Sequence, residues 1–157
     1  MKKIAILYKD YSPVIDVIKH QLFDCRVDSF STPDDIGDYD LVINLGVSFD
    51  GEALTCRYSL LPAFDCDEPV KEAILAGVKV TGITIYYTKS EKIVAQYPVF
   101  INNETHFDEL EQELKYVEQT LFPPVIRKIL DNEPFEIHAL INQGCGGQCG
   151  GCGSCSH

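Results

Sequence analysis

The sequence predicts an α/β domain with a mostly parallel sheet and flanking helices. Three observations carry that expectation. Short, nearly continuous apolar runs stand at residues 3–8 and 41–47, as in strands buried on both faces of a sheet. An amphipathic segment separates the first run from a second strand-like segment. The chain has 157 residues, the length of one domain, and 45% of them are hydrophobic, enough for a sizeable core.

Each element has a local reason. Lys3 to Tyr8 (KIAILY) reads as the first strand. Ser12-Pro13 follows as an N-cap with proline in the first helical position. Val14, Val17, Ile18, Gln21 and Leu22 then mark one helical face, apolar but for Gln21. Cys25 to Phe30 reads as a second strand, Thr32 to Asp35 as a turn, and Leu41 to Val47 as a third strand. Residues 48–68 read as a polar, irregular loop, a kind of segment that often carries function. Pro69 to Ala76 reads as a short helix, with Gly77 just past its end. Val78 to Thr88 and Lys92 to Ile101 read as a hairpin with a tight turn near Ser90-Glu91. Thr105 and Asp108 make a capping-box-like start to the last helix. Phe107, Leu110, Leu114, Val117 and Leu121 give that helix its apolar face. Pro123-Pro124 predicts a break or a kink, with the helix resuming over Val125 to Leu130.

The charge balance narrows the partners. Twenty-four acidic and 13 basic residues give a net charge of −11. That argues against nucleic acid and anionic membranes, which recruit Lys and Arg. It suits cations, basic partners or a small ligand. No apolar run approaches the ~20 residues of a membrane span. The opening MKKIAILYKDY lacks the features of a signal peptide. A cytoplasmic, reducing location is the expectation, where clustered cysteines serve as metal ligands or redox groups more often than as disulfides.

From Tyr39 to Leu130 the chain carries four motifs in order. Ser59-Leu60-Leu61-Pro62 comes first and the helix Pro69 to Gly77 second. Val80-Thr81-Gly82-Ile83-Thr84 is third, and Glu118-x-x-Leu121-Phe122-Pro123 closes the set. Together they resemble the folate-dependent formyltransferase family, which includes glycinamide ribonucleotide and methionyl-tRNA formyltransferases. The resemblance implies a shortened, Rossmann-like formyltransferase core over 1–140, with folate as the family's cofactor. It also implies an inherited ligand cleft near Ser59, Leu60, Pro62 and Thr84.

The departures bear on activity. The resemblance places the family's catalytic asparagine at Thr55 and its histidine at Arg57, with Tyr58 where a proline would follow. The family's aspartate lies in a Val-Asp-x-Gly-Pro loop, and Thr88 to Lys92 is too short to hold it. Glu91 is a carboxylate nearby without that motif. Only 58 residues precede Ser59, fewer than the family usually has, which implies that one or more strand-helix units are missing. Formyl transfer passes through a tetrahedral oxyanion that needs directed donors, and through proton transfers. Arg57 can donate hydrogen bonds but cannot exchange protons near neutral pH. The expectation is therefore a family member without formyl transfer. Arg57 has two readings, an ion pair with the surrounding acids or a contact to an anionic ligand. Cys56 and Cys66, which flank the loop, read as small packed residues, since no His accompanies them.

The seven cysteines divide unevenly. Cys25, Cys56 and Cys66 are scattered, whereas Cys145, Cys149, Cys152 and Cys155 stand in the last thirteen residues with His157. The spacing is C-x3-C-x2-C-x2-C-x-H, set among glycines that let the backbone wrap tightly. Thiolates suit Zn, other soft metals or an Fe-S cluster. Residues 141–157 are therefore expected to be a metal-binding tail, with a metal donor or acceptor protein as partner. His138 could add a ligand. Two alternatives stand beside this one. One is a divergent formyl or one-carbon transferase that uses Arg57 on a small amine. The other is an Fe-S or thiol redox module.

Overall fold

The computed structural model describes residues 1–136. The expectations for His138, Cys145, Cys149, Cys152, Cys155 and His157 lie outside the described residues, as does the boundary at 140.

Six strands form one mixed sheet: β1 (Lys3–Tyr8), β2 (Arg26–Phe30), β3 (Leu41–Leu45), β4 (Leu54–Arg57), β5 (Val80–Tyr87) and β6 (Ile93–Phe100). Their order is β2-β1-β3-β4-β5-β6. The pairings β1·β2, β1·β3 and β3·β4 are parallel, and β4·β5 and β5·β6 are antiparallel. The parallel half follows from the continuous apolar runs: Ile4, Ala5, Ile6 and Leu7 are all fully buried. The antiparallel half comes from the hairpin, whose tight turn returns β6 directly beside β5.

Three helices join the strands: α1 (Pro13–Gln21), α2 (Pro69–Ala76) and α3 (Phe107–Leu130). Pro13 and Pro69 open their helices, where the missing N–H has no partner to lose. Gly77 ends α2 with φ 71°, a left-handed conformation that costs glycine little. One core joins Ile4, Ile6 and Ile43 of the sheet to Ile15 and Ile18 of α1 and to Leu110, Leu114 and Phe122 of α3.

Three local expectations are corrected. Residues 48–68 are not wholly irregular, because Leu54–Arg57 is a strand. Four residues are too few to show a period, and β4 exists because β3 and β5 hydrogen-bond it from both sides. Pro123 and Pro124 do not break the last helix. Leu121, Phe122, Val125 and Ile126 are buried on both sides of the prolines. Arg127 anchors the far half by donating to both carboxylate oxygens of Asp24, at 2.6 and 2.9 Å. Tertiary burial therefore outweighs the two lost donors. Thr105 does not cap α3. Its hydroxyl donates to Asn102 Oδ1 at 3.1 Å, and His106 takes the cap position.

Candidate functional site

Strand alternation separates two faces at β4 and β5. Arg57 pairs with Thr84 and Cys56 with Ile85. Gly82, Thr84 and Arg57 therefore share one face, while Cys56, Ile83 and Ile85 share the other.

The first face is closed by the 59–62 turn. The Thr84 hydroxyl donates to Ser59 O at 2.7 Å and accepts from Leu61 N at 3.1 Å. Gln96 Nε2 donates to Leu61 O at 2.8 Å and to Thr84 Oγ1 at 3.1 Å. Gly82 lets the layers close. A Cβ there would lie 2.0 Å from Tyr97 O and 2.8 Å from Leu60 Cδ2. Ser59 and Thr84 are fully buried. Neither presents its side chain to solvent. Leu60 and Pro62 do not line the main cleft either. These motif residues build a packed turn.

The cleft opens beside the other face, between β4, α2 and α3, with a volume of ≈ 530 Å³. That size suits a small organic ligand. Cys56, Arg57 and Tyr58 come from β4 and its end, Val70 and Lys71 from α2, and Phe107, Glu111 and Glu118 from α3. Cys66 to Pro69 complete the rim. Glu118 is only 8% exposed, and the hydroxyl of Tyr58 and thiol of Cys56 face it. Burial holds its carboxyl above the usual range, although hydrogen bonds from Tyr58 and Cys56 and the charge of Lys115 pull it back. Burial pushes the Cys56 thiol and the Tyr58 hydroxyl well up, and the Glu118 charge adds to both. Both therefore stay protonated at neutral pH.

Arg57 is engaged. Its Nη2 donates to Cys66 O at 2.5 Å and lies 3.1 Å from Asp65 Oδ1. Its Nε is buried without a hydrogen-bond partner among the described residues. Thr55 is half-buried opposite Tyr86. The hairpin turn is stabilised from outside, with Lys89 N and Ser90 N donating to Glu52 Oε1 at 2.8 and 3.3 Å. Those two bonds outweigh partial desolvation and hold the Glu52 carboxyl below its usual range. Glu91 adopts φ 56° in that turn. Cys25, Cys56 and Cys66 are free thiols. Among the described residues, no group of three or more Cys, His, Asp or Glu could hold a metal ion, and no helix is long and apolar enough to cross a membrane.

Glu118, Tyr58 and Phe107 had not been picked out as site residues. A signal for Glu118 was present, because it falls four residues after Leu114 and three before Leu121. A carboxylate at that spacing interrupts the apolar stripe on the buried face of α3.

A family model described as formyl transferase matches residues 45–126. The chain belongs to the formyl transferase family. The match takes in the 59–62 turn, α2, the hairpin and most of α3. Phosphoribosylglycinamide formyltransferase of Bacillus subtilis is 33% identical over 87 residues, covering 53% of this chain and 45% of that protein. The chain thus matches about half the length of this curated relative. Among solved structures, phosphoribosylglycinamide formyltransferase from Bacillus halodurans matches with a TM-score of 0.65 at 22% identity. That match covers 82% of this chain and 95% of that one. Glycinamide ribonucleotide transformylase 1 from Symbiobacterium toebii gives 0.70 at 19% identity, covering 84% and 89%. At these identities the two structures establish the formyltransferase fold.

Proposed function

We propose that this chain is a formyltransferase-family protein without formyl transfer, which holds a small molecule in its cleft and a soft metal or Fe-S cluster through its C-terminal cysteines. The observation that carries the first part is the state of Arg57. At the position the resemblance gives to the catalytic histidine stands a permanent cation already bound to Asp65 and Cys66 O. It cannot shuttle a proton near neutral pH. The turn between β5 and β6 spans only Thr88 to Lys92, tied by Tyr87 N donating to Lys92 O at 3.0 Å. These residues do not fit the chemistry a formyl-folate would require, so no step is assigned to folate. The engagement of Arg57 also weighs against the alternative in which it serves as the electrostatic catalyst of a transferase.

The metal part rests on the sequence, on four thiols and a histidine at C-x3-C-x2-C-x2-C-x-H spacing. A reducing cytoplasm is the compartment that suits them, and a metal donor or acceptor protein is the partner that would follow. One preparation tests both parts. Protein purified without oxygen is expected to carry stoichiometric metal, and to lose it when Cys145, Cys149, Cys152 and Cys155 are changed to Ser. The same protein is expected to release no product from formyl-tetrahydrofolate and glycinamide ribonucleotide. Turnover would overturn the first part, and unchanged metal content in the variant would overturn the second. Stoichiometric iron with sulfide and a brown colour would assign a cluster, and colourless protein with zinc a single ion.

A further inference from the structure

The cleft is apolar in part, yet a glutamate that is only 8% exposed, Glu118, sits in its wall, and the cations around it are committed elsewhere. Arg57 is bound to Asp65 and Cys66 O. Lys71 lies 3.5 Å from Glu68, and Lys115 lies 3.2 Å from Glu111. Among the described residues, no cation stands within ion-pair distance of Glu118, which shares the cleft wall with Tyr58 and Cys56. A buried carboxylate with no counter-charge is costly, and a cation brought to it from solvent recovers part of that cost. Asp67 on the rim adds a second carboxylate with no ion pair among the described residues. Phe107, 43% exposed at the cleft, offers an aromatic face, and Val70 and Pro69 offer apolar wall. Aromatic faces attract cations and aliphatic walls hold their carbon bodies.

We propose that the cleft between β4, α2 and α3 binds an organic ammonium cation on an apolar or aromatic body, with the ammonium group seated against Glu118. The proposal rests on the cleft being a ligand site and does not depend on the metal-binding tail. An anionic ligand would meet the surplus carboxylates and be disfavoured. A neutral isostere would fill the apolar wall but leave Glu118 without a counter-charge.

The test is titration of the full chain with phenethylamine, phenethyl alcohol and 3-phenylpropionate, read by calorimetry and by amide chemical shifts. Phenethylammonium is expected to bind about tenfold or more tightly than the alcohol, and the propionate more weakly than either. The amine preference is expected to grow as pH rises and Glu118 ionises, while the amine stays protonated to about pH 9. The groups sharing that environment are Tyr58 and Cys56 from β4, Glu111 and Lys115 from α3, and Lys71, Glu68 and Asp67 across the cleft. Burial keeps the Tyr58 hydroxyl and the Cys56 thiol protonated over this range. Glu118→Gln is expected to remove the preference. Should that variant fold poorly by near-ultraviolet circular dichroism, the isostere comparison and pH profile of the native chain decide alone. Equal binding of alcohol and amine, shifting amides of β4 and α3, would overturn the cation assignment and leave the cleft as a ligand site. No shift with any probe at millimolar concentration would overturn both.

Discussion

The two faces of β5 have been treated differently. On one, Gly82, Thr84 and Gln96 lock the 59–62 turn with hydrogen bonds among fully or partly buried groups. On the other, Ile83 and Ile85 face the core, and beside them the cleft carries Cys56, Tyr58 and Glu118. The first face holds the 59–62 turn that resembles the formyl transferase family's, and the second carries Glu118, which opens the closing motif, beside Cys56 and Tyr58. The difference means that motif residues can be tied up in folding the chain rather than in facing a ligand. Polar groups locked against backbone are hard to replace without leaving a buried donor unpaired. Groups lining an open cleft are constrained only by what must bind there.

The largest effect is expected from Gly82→Ala. The added carbon would meet a backbone oxygen at 2.0 Å, so β5, β6 and the turn must shift. A loss of about 3 kcal/mol or more is expected from overpacking, read as a lower urea midpoint. Thr84→Val keeps the shape and removes the hydroxyl. Leu61 N then lacks its acceptor and Ser59 O a donor, for a loss of about 1–3 kcal/mol. If either variant were as stable as the native chain, the locked-turn account would fail.

Glu118 supplies the contrast from the cleft side. Its folded-state carboxyl titrates above its unfolded value, so the folded chain holds the proton more tightly. Its contribution to stability is therefore full below about pH 4.5 and is lost as pH rises through the raised value. Urea midpoints measured from pH 4 to 8 are expected to show this fall in the native chain and a flatter profile in Glu118→Gln. Identical profiles would mean that the carboxyl is not desolvated as described.

The smallest effect sharpens the comparison within the motif itself. Ser59 Oγ is buried with no hydrogen-bond partner among the described residues. Ser59→Ala is expected to change stability by less than about 0.5 kcal/mol or to raise it slightly, because an idle buried hydroxyl contributes nothing to hold. A loss approaching that of Thr84→Val would show that the serine hydroxyl has a partner after all.

Much of the fold was legible in the residues. The runs at 3–8 and 41–47, the hairpin, and the proline-opened α1 and α2 all stand where their local chemistry puts them. The strand Leu54–Arg57 was not legible, because its pairing comes from neighbours distant in sequence. The continuity of α3 through Pro123 and Pro124 was hidden for a similar reason. Local rules count two lost N–H donors, whereas the folded chain counts four buried apolar side chains and the Arg127–Asp24 pair. Of the site, the replaced positions Thr55 and Arg57 could be named from the resemblance, and their acidic surroundings suggested the ion pair of Arg57. The full burial of the motif residues Ser59 and Thr84 was not legible from the motif itself.

What the sequence by itself determined is most of the elements and the family to which they belong. Periodicity, proline and glycine positions, and ordered motifs are local properties, and each residue type carries its chemistry wherever it lies. Only the tertiary structure decided that Cys56, Tyr58 and Glu118 meet in one wall and that Arg57 is bound to Asp65. It likewise decided that the 59–62 turn packs against Thr84 and Gln96. Those facts follow from strand order, from alternation of side chains across β4 and β5, and from the packing of α3. The meeting of Cys56 and Tyr58 with Glu118 joins residues about sixty positions apart, which no local pattern encodes.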